Sequence, residues 1–300
     1  MVPAVLNRVV GVVAGAGFTA AADRLLTRTE LAERSAWTRT NYRGRTVSLA
    51  GGAAAAAGSV LGACVSCPPR WRAAVLLAGG SAAAAGAYDD LVAPRTELSA
   101  DKGWRGHLRA LRSGRVSGGV VKIAVIGTGA LVAARSVSRT WAGALPAAAL
   151  IATSANLVNL FDLRPGRAGK VTLAASATLL GGPAAPIAAA IGGAALAGLP
   201  ADLGERRILG DLGANTLGAL LGLRLAAAGP VTRAAASAGA VALTVASERV
   251  SFSEVIECSP ALRRIDGWGR LGEVGRLGEA GRLDLAGRIA GQPGRPAGER

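Results

Sequence analysis

Asp89 and Asp90 stand side by side at the end of an apolar stretch, and single aspartates recur at two further such ends, Asp162 and Asp211. Carboxylates close to membrane depth are costly, so a series of them at the ends of apolar runs points to chemical use. With cations nearby, such a series can hold Mg²⁺ and a polyanionic phosphate together. The acidic pair is followed by a basic segment with Lys102, Arg105, His107, Arg109, Arg112 and Arg115. Its bland alternative is a solvated helix cap with ordinary cytoplasmic cations, and His107 is read as a surface residue before a phosphate contact. Asn156, Asn159 and Asp162 are spaced by three, so on a helix they drift along one face toward one cavity. Amides there suit a nucleobase or phosphate and the carboxylate suits a metal or a donor; a polar ladder between helices is the structural alternative. Asp211 lies between Gly210 and Gly213 at the mouth of a new helix, beside backbone N–H groups suited to a metal-bound phosphate. Upstream, the basic loop 40–45 runs into Gly51 and Gly52, where paired glycines let a backbone or a ligand approach closely.

The elements that must carry these residues are membrane helices. Apolar residues make up 51% of the chain, mean hydropathy is +0.38, and aromatic residues are only 3%, which is not the composition of a soluble core. Apolar segments recur at about 3–22, 47–66, 71–88, 119–135, 141–158, 171–182, 184–200, 213–229 and 231–247. The expected fold is therefore an all-α polytopic transmembrane bundle of about nine spans. The least certain pair lies between 171 and 200, where Gly181, Gly182, Pro183 and Pro186 could make a short hairpin or a broken helix. The first segment reads as a retained helix, because Arg8 alone is a thin start for a signal peptide and the small residues run straight into the polar segment from Asp23.

Placing the N-terminus outside puts most of the 34 Lys and Arg in cytoplasmic segments, and all four aspartates on that same side. The net charge of +15 is then explained by topology and anionic headgroups, and no nucleic acid is expected as a partner. The chain divides into a membrane unit, 1–247, and a Gly/Arg-rich cytoplasmic tail, 248–300, in which Gly-Arg-Leu or Gly-Arg-Ile recurs every six residues from Gly269. That period matches no helical stripe, so a disordered or surface-lying tail attracted to anionic lipid is expected. Cys64 and Cys67 form a C-x-x-C at the outer end of the second segment, where a disulfide is permitted, and no second Cys or His pair accompanies them to make a zinc site.

In order and spacing these motifs resemble the polyprenyl-phosphate N-acetylhexosamine-1-phosphate transferases, over a little more than half the chain. Gly51-Gly52 is similar to that family's G-G after a basic loop, Asp89-Asp90 to its D-D, Asn156, Asn159 and Asp162 to its N-x-x-N-x-x-D, and Gly210 to Ala214 to its G-D-x-G-A. The resemblance implies an Mg²⁺-dependent transfer of a sugar-1-phosphate from a UDP-sugar to a polyprenyl phosphate in a bacterial cytoplasmic membrane, with release of UMP. It implies Asp89, Asp90 and Asp162 as the catalytic set and Asp211 as the metal ligand. Asp89 would orient or deprotonate the lipid phosphate. Asn156, Asn159, Arg164, Lys102 and Lys122 would bind substrate.

The chain departs from the family pattern in three places. Where the pattern is D-G-x-D-G, this sequence reads Asp162-Leu163-Arg164-Pro165-Gly166; the lysine after the acidic pair is replaced by Val92-Ala93-Pro94, with Lys102 and Lys122 as substitutes only if the chain folds back; and the histidine-rich loop is absent, His107 being the single histidine. Either the donor differs from the usual UDP-N-acetyl sugars or catalysis has been lost. Two alternatives therefore stay open: an inactive homologue that binds a lipid-linked precursor or an envelope-assembly partner, and a transporter, against which the aspartates' position at segment ends counts. Expected partners are the lipid phosphate, the nucleotide-sugar and the membrane, with a homodimer left open.

Overall fold

The computed structural model describes residues 2–93 and 118–271. Lys102, His107 and most of the Gly-Arg-Leu repeat lie outside the described residues. Helices α1 (Val2–Arg28), α2 (Ala50–Ser66), α3 (Pro69–Leu91), α4 (Gly118–Val137), α5 (Trp141–Phe161), α6 (Arg167–Thr178), α7 (Ala185–Leu203), α8 (Gly210–Ala226) and α9 (Pro230–Ser247) correspond one for one to the apolar segments of the sequence. Two short helices follow, α10 (Phe252–Cys258) and α11 (Pro260–Gly267). The bundle is helical as expected, and four of its helices are long and apolar enough to cross a membrane: Ala4–Arg28 within α1, and α4, α5 and α7.

The doubtful pair between 171 and 200 resolves unequally. Pro186 sits in the first turn of α7, where its missing N–H costs nothing, so α7 runs for 19 residues, whereas α6 stops after 12. Arg224, buried near the end of α8, donates to the carbonyls of Leu179 and Gly181 just beyond α6 and supplies the partners that the helix end lacks.

Among the described residues, the one β-element is an antiparallel ribbon of β1 (Thr38–Thr40) and β2 (Thr46–Ser48), with Arg39 opposite Val47. Its β-branched Thr38, Thr40, Thr46 and Val47 favour extended backbone, and Gly44, at φ 75°, makes the left-handed turn between the strands. Segment 206–208 extends β2: the Ser48 amide donates to the Arg206 carbonyl and the Ile208 amide to the Ser48 carbonyl, at 3.2 and 2.9 Å.

Packing relies on small residues. Without a solvent-driven hydrophobic effect between helices in lipid, close backbone approach and dispersion must hold them, and Ala and Gly permit that approach. Helix α1 lies against α2 and α7; α8 is the central post, in contact with α2, α3, α5 and α7 and buried over nearly its whole length. The chain alternates direction, so the ends of α1, α3, α5 and α7 and the starts of α2, α4, α6 and α8 gather at one end of the bundle. Arg207 joins Asp23 of α1 to this end at 2.8 Å.

Candidate functional site

Helix α8 begins at this gathering. Its N-cap residue, Leu209, has no side chain able to accept a hydrogen bond, so its first amides must find acceptors elsewhere. They find carboxylates from other helices. Asp162, just past the end of α5, accepts the Gly210 amide at 2.7 Å; Asp90, at the end of α3, accepts those of Asp211 and Leu212 at 3.2 and 2.8 Å. The helix dipole favours negative charge at this terminus. The N–H groups that the sequence reading offers to a phosphate are therefore engaged by Asp90 and Asp162, which position α8. Arg39 of β1 donates to the Asp90 backbone carbonyl and ties the ribbon to the same point.

The glycines of the motifs permit these contacts. Gly210 takes a left-handed φ of 59°, and a Cβ there would meet Leu49 and the Asp90 carboxylate. A Cβ on Gly52 would run into the Leu209 carbonyl, and one on Gly86 into the backbone of Asp211 and Leu212. The paired-glycine, double-aspartate and Gly-Asp motifs, remote in sequence, are in mutual contact.

Asp89 and Asp211 keep a different company. Lys122, on α4, places its ammonium 3.1 Å from Asp89 Oδ2 and in a closer ion pair with Asp211 Oδ2. Helix α4 packs against α3, so Lys122 reaches the acidic pair. Asn215, one turn along α8 and fully buried, donates to the Asp211 carbonyl at 2.7 Å, and its Oδ1 has no partner among the described residues.

The other expected substrate-binding residues are less tightly gathered. Asn156 and Asn159 are half-buried on α5. Asn159 contributes its backbone carbonyl, which the Asp162 amide joins at 3.0 Å. Arg164 turns away from the aspartates: it pairs with Glu257 at 3.1 Å and lies 4.2 Å over the Tyr42 ring.

Three acidic residues that the sequence reading passed over also gather here. Asp202, buried at the end of α7, takes a hydrogen bond from the Gly166 backbone. Withdrawal from water, with Asp202 close by, pushes the Asp162 carboxyl well above the ordinary carboxylate range, against the lowering pull of the Gly210 amide. Glu205, held at φ 52°, pairs with Arg43 at 2.8 Å and accepts from Asn41 at 2.9 Å, fastening the ribbon's loop. Asp266 of α11 is clasped by two guanidiniums, Arg167 at 2.8 and 2.9 Å and Arg270 at 2.7 and 2.9 Å. Phe252 of α10 stacks on Phe161 at 5.1 Å. Together these contacts hold the described start of the tail, 248–271, against the loop that carries Asp162. A signal for Asp202 and Glu205 did exist, since both follow an apolar run as the other aspartates do.

Mg²⁺ usually keeps several waters and takes one or two carboxylates plus substrate phosphates. Asp89 and Asp211 offer two carboxylate oxygens converging on one cationic position, with an unpartnered buried acceptor one turn away. No group of three or more acidic, Cys or His donors stands together among the described residues. The donor set fits a cation brought in with phosphate. Cys64 and Cys67 are free thiols.

Fold and site thus define a predominantly helical bundle with a carboxylate and lysine cluster at one end. Comparison with family models, curated proteins and solved structures gives no match to this chain.

Proposed function

We propose that this chain is a multi-pass membrane transferase, a divergent relative of the polyprenyl-phosphate N-acetylhexosamine-1-phosphate transferases. In this reading it moves a sugar-1-phosphate from a UDP-sugar to a polyprenyl phosphate at the cytoplasmic face of a bacterial membrane, in the synthesis of a cell-envelope glycan. The observation that carries the reading is the Asp89–Lys122–Asp211 cluster, with α8 held in place by Asp90 and Asp162. All nine apolar helices then cross or enter the bilayer, with the N-terminus outside and the cluster at the inner surface.

An oxygen of the lipid phosphate forms a bond to the sugar-bearing phosphorus, and the bond from that phosphorus to the UMP oxygen breaks, the electron pair leaving with UMP. Nucleophile and donor are both anionic, so neutralisation and alignment dominate the barrier. Asp211, with Asp89, would hold Mg²⁺, which when bound would supply charge neutralisation on the donor diphosphate. Lys122 provides a second cation that can pass from the carboxylates to a phosphate oxygen. Asp89 orients the lipid phosphate, which is already ionised near neutral pH. Asp90 and Asp162 act through the backbone of α8, and Asn156 and Asn159, within two turns before Asp162 on α5, would bind substrate.

The test is transfer of labelled sugar-1-phosphate from a panel of UDP-sugars to undecaprenyl phosphate by purified protein, with and without Mg²⁺, beside Asp89→Asn and Asp211→Asn. Metal-dependent product that both substitutions abolish upholds the reading. No product from any donor, with folded protein and a working control enzyme, favours a binding homologue. Lys122 lends that second reading weight, because it already pairs with both carboxylates without a ligand.

A further inference from the structure

Helix α11 is anchored to the bundle through its last turn: Asp266 lies between Arg167 and Arg270, which are only 3% and 5% exposed, and the Lys170 ammonium donates to the backbone carbonyls of Ile265 and Asp266 at 3.0 and 2.7 Å. The rest of its surface is open and carries Leu262 and Ile265, followed by Trp268 just past the helix end, with Ile265 62% and Trp268 78% exposed. Arg263 and Arg264 are exposed beside them, and the helix's one acidic residue, Asp266, is consumed by its two arginines. Apolar residues left facing outward from a firmly anchored helix call for a covering surface, and the accompanying charge is purely positive.

The position narrows the choice of cover. Arg167 and Lys170 open α6, a few residues beyond the end of α5, one of the helices long enough to cross a membrane. An element clasped there sits level with a span's end, where a bilayer's headgroups would lie. Short helices with an apolar face, a Trp at the edge and flanking arginines lie in that plane, their apolar residues at the acyl boundary and their cations among anionic headgroups.

We propose that α11, with Trp268, is an interfacial foot that rests on the anionic leaflet of the membrane and is held at a set height by the Arg167–Asp266–Arg270 clasp. The inference rests on the bundle being membrane-embedded, and it is independent of any transferase activity.

The test uses the full chain in nanodiscs of phosphatidylcholine alone or mixed with phosphatidylglycerol, in a Cys64→Ser, Cys67→Ser, Cys258→Ser background. A spin label is placed at Ile265→Cys, or at Val132→Cys on an exposed position of α4 as the embedding control, and its accessibility to oxygen and to a water-soluble nickel chelate is compared. In anionic discs the label at 265 is expected to show a several-fold higher oxygen-to-nickel ratio than in neutral discs, and Arg263→Gln with Arg264→Gln is expected to abolish the difference. A label at 265 that is nickel-accessible in both lipids, while the one at 132 is oxygen-accessible, overturns the foot alone. A nickel-accessible label at 132 overturns the embedding beneath it. Protection at 265 with spin–spin broadening between copies overturns the proposal in favour of a second chain as the cover.

Discussion

Asp90 Oδ2 accepts the backbone amide of Leu212 at 2.8 Å, so a carboxylate at the end of α3 closes the first turn of α8. Asp162 does the same for Gly210 from the end of α5. The aspartate series therefore divides in two. One pair is spent on backbone amides and fixes where α8 begins; the other, Asp89 and Asp211, faces a single lysine. A carboxylate committed to an amide has less to offer an incoming ligand than one balanced by a movable ammonium.

That division separates stability from chemistry. Asp90→Ala and Asp162→Ala are each expected to lower stability by about 1 kcal/mol, the usual cost of losing a helix cap, while the Asn replacements keep an acceptor and lose less. Asp211→Asn is expected to abolish transfer, and because Lys122 keeps Asp89 as a partner, to cost less stability than removing the lysine does. Thermal unfolding in nanodiscs alongside a transfer assay reads both effects; an Asp90→Asn variant that melts like wild type yet transfers nothing would return Asp90 to the reacting set.

Lys122→Met leaves Asp89 and Asp211 facing one another without a counter-ion. Removing one partner of a buried ion pair costs about 3–5 kcal/mol, and losing a preorganised charge at a reacting phosphate costs about 10²–10³ in rate. Added Mg²⁺ is expected to restore more stability to the variant than it adds to wild type, since the two cations share one place. Equal stabilisation of both proteins by Mg²⁺, measured by thermal unfolding, would put the metal elsewhere.

Gly52 and Gly80 make opposite predictions. A side chain at Gly52 meets the Leu209 carbonyl and must push α2 from the start of α8, so Gly52→Val is expected to cost at least about 1–3 kcal/mol and to impair transfer. Nothing lies within 4 Å of a Cβ at Gly80, so Gly80→Ala is expected to be neutral or to gain up to about 1 kcal/mol from helix propensity. Melting temperatures of the two variants decide it.

The helices were legible because nearly uniform apolar runs leave no alternative for a backbone that must satisfy its own hydrogen bonds. The motif residues were legible as a set, and their glycines marked where backbones touch. Which carboxylate caps and which stays available was not legible, because Asp90 and Leu212 are joined through space and nothing in the local sequence of either names the other. Lys122 was one of two candidates that only the path of the intervening chain could separate. The ribbon was masked by the apolar pattern around it, and the clasp on Asp266 was hidden in a tail whose composition reads as disorder. Arg164, assigned to substrate, pairs with Glu257 and lies over Tyr42, neither of which its neighbours in sequence name.

Asp266 also makes the docking of the tail depend on acid. Burial alone would raise its carboxyl, but the hydrogen bonds from Arg167 and Arg270 outweigh burial and hold it below the ordinary 3.8. A depressed acid contributes stability that is complete above its unfolded value and is lost as the pH falls through the folded one. Protease resistance of segment 248–271 should therefore be flat from about pH 5 to 8 and fall only below the ordinary carboxylate value. Asp266→Asn should expose the segment at every pH.

The caps of α8 also impose an order on biogenesis. Asp90 leaves the ribosome 122 residues before Leu212, the amide it will serve, which at about 5–20 residues per second is a wait of about 6–24 seconds. Asp162 has its own, shorter wait for Gly210. During that interval both carboxylates are without their donors, and water must stand in for the amides. Helix α8 is thus the keystone of insertion: a chain halted before it carries its acidic residues as a burden, and a chain that completes it gains the site and the stability of the bundle in one step.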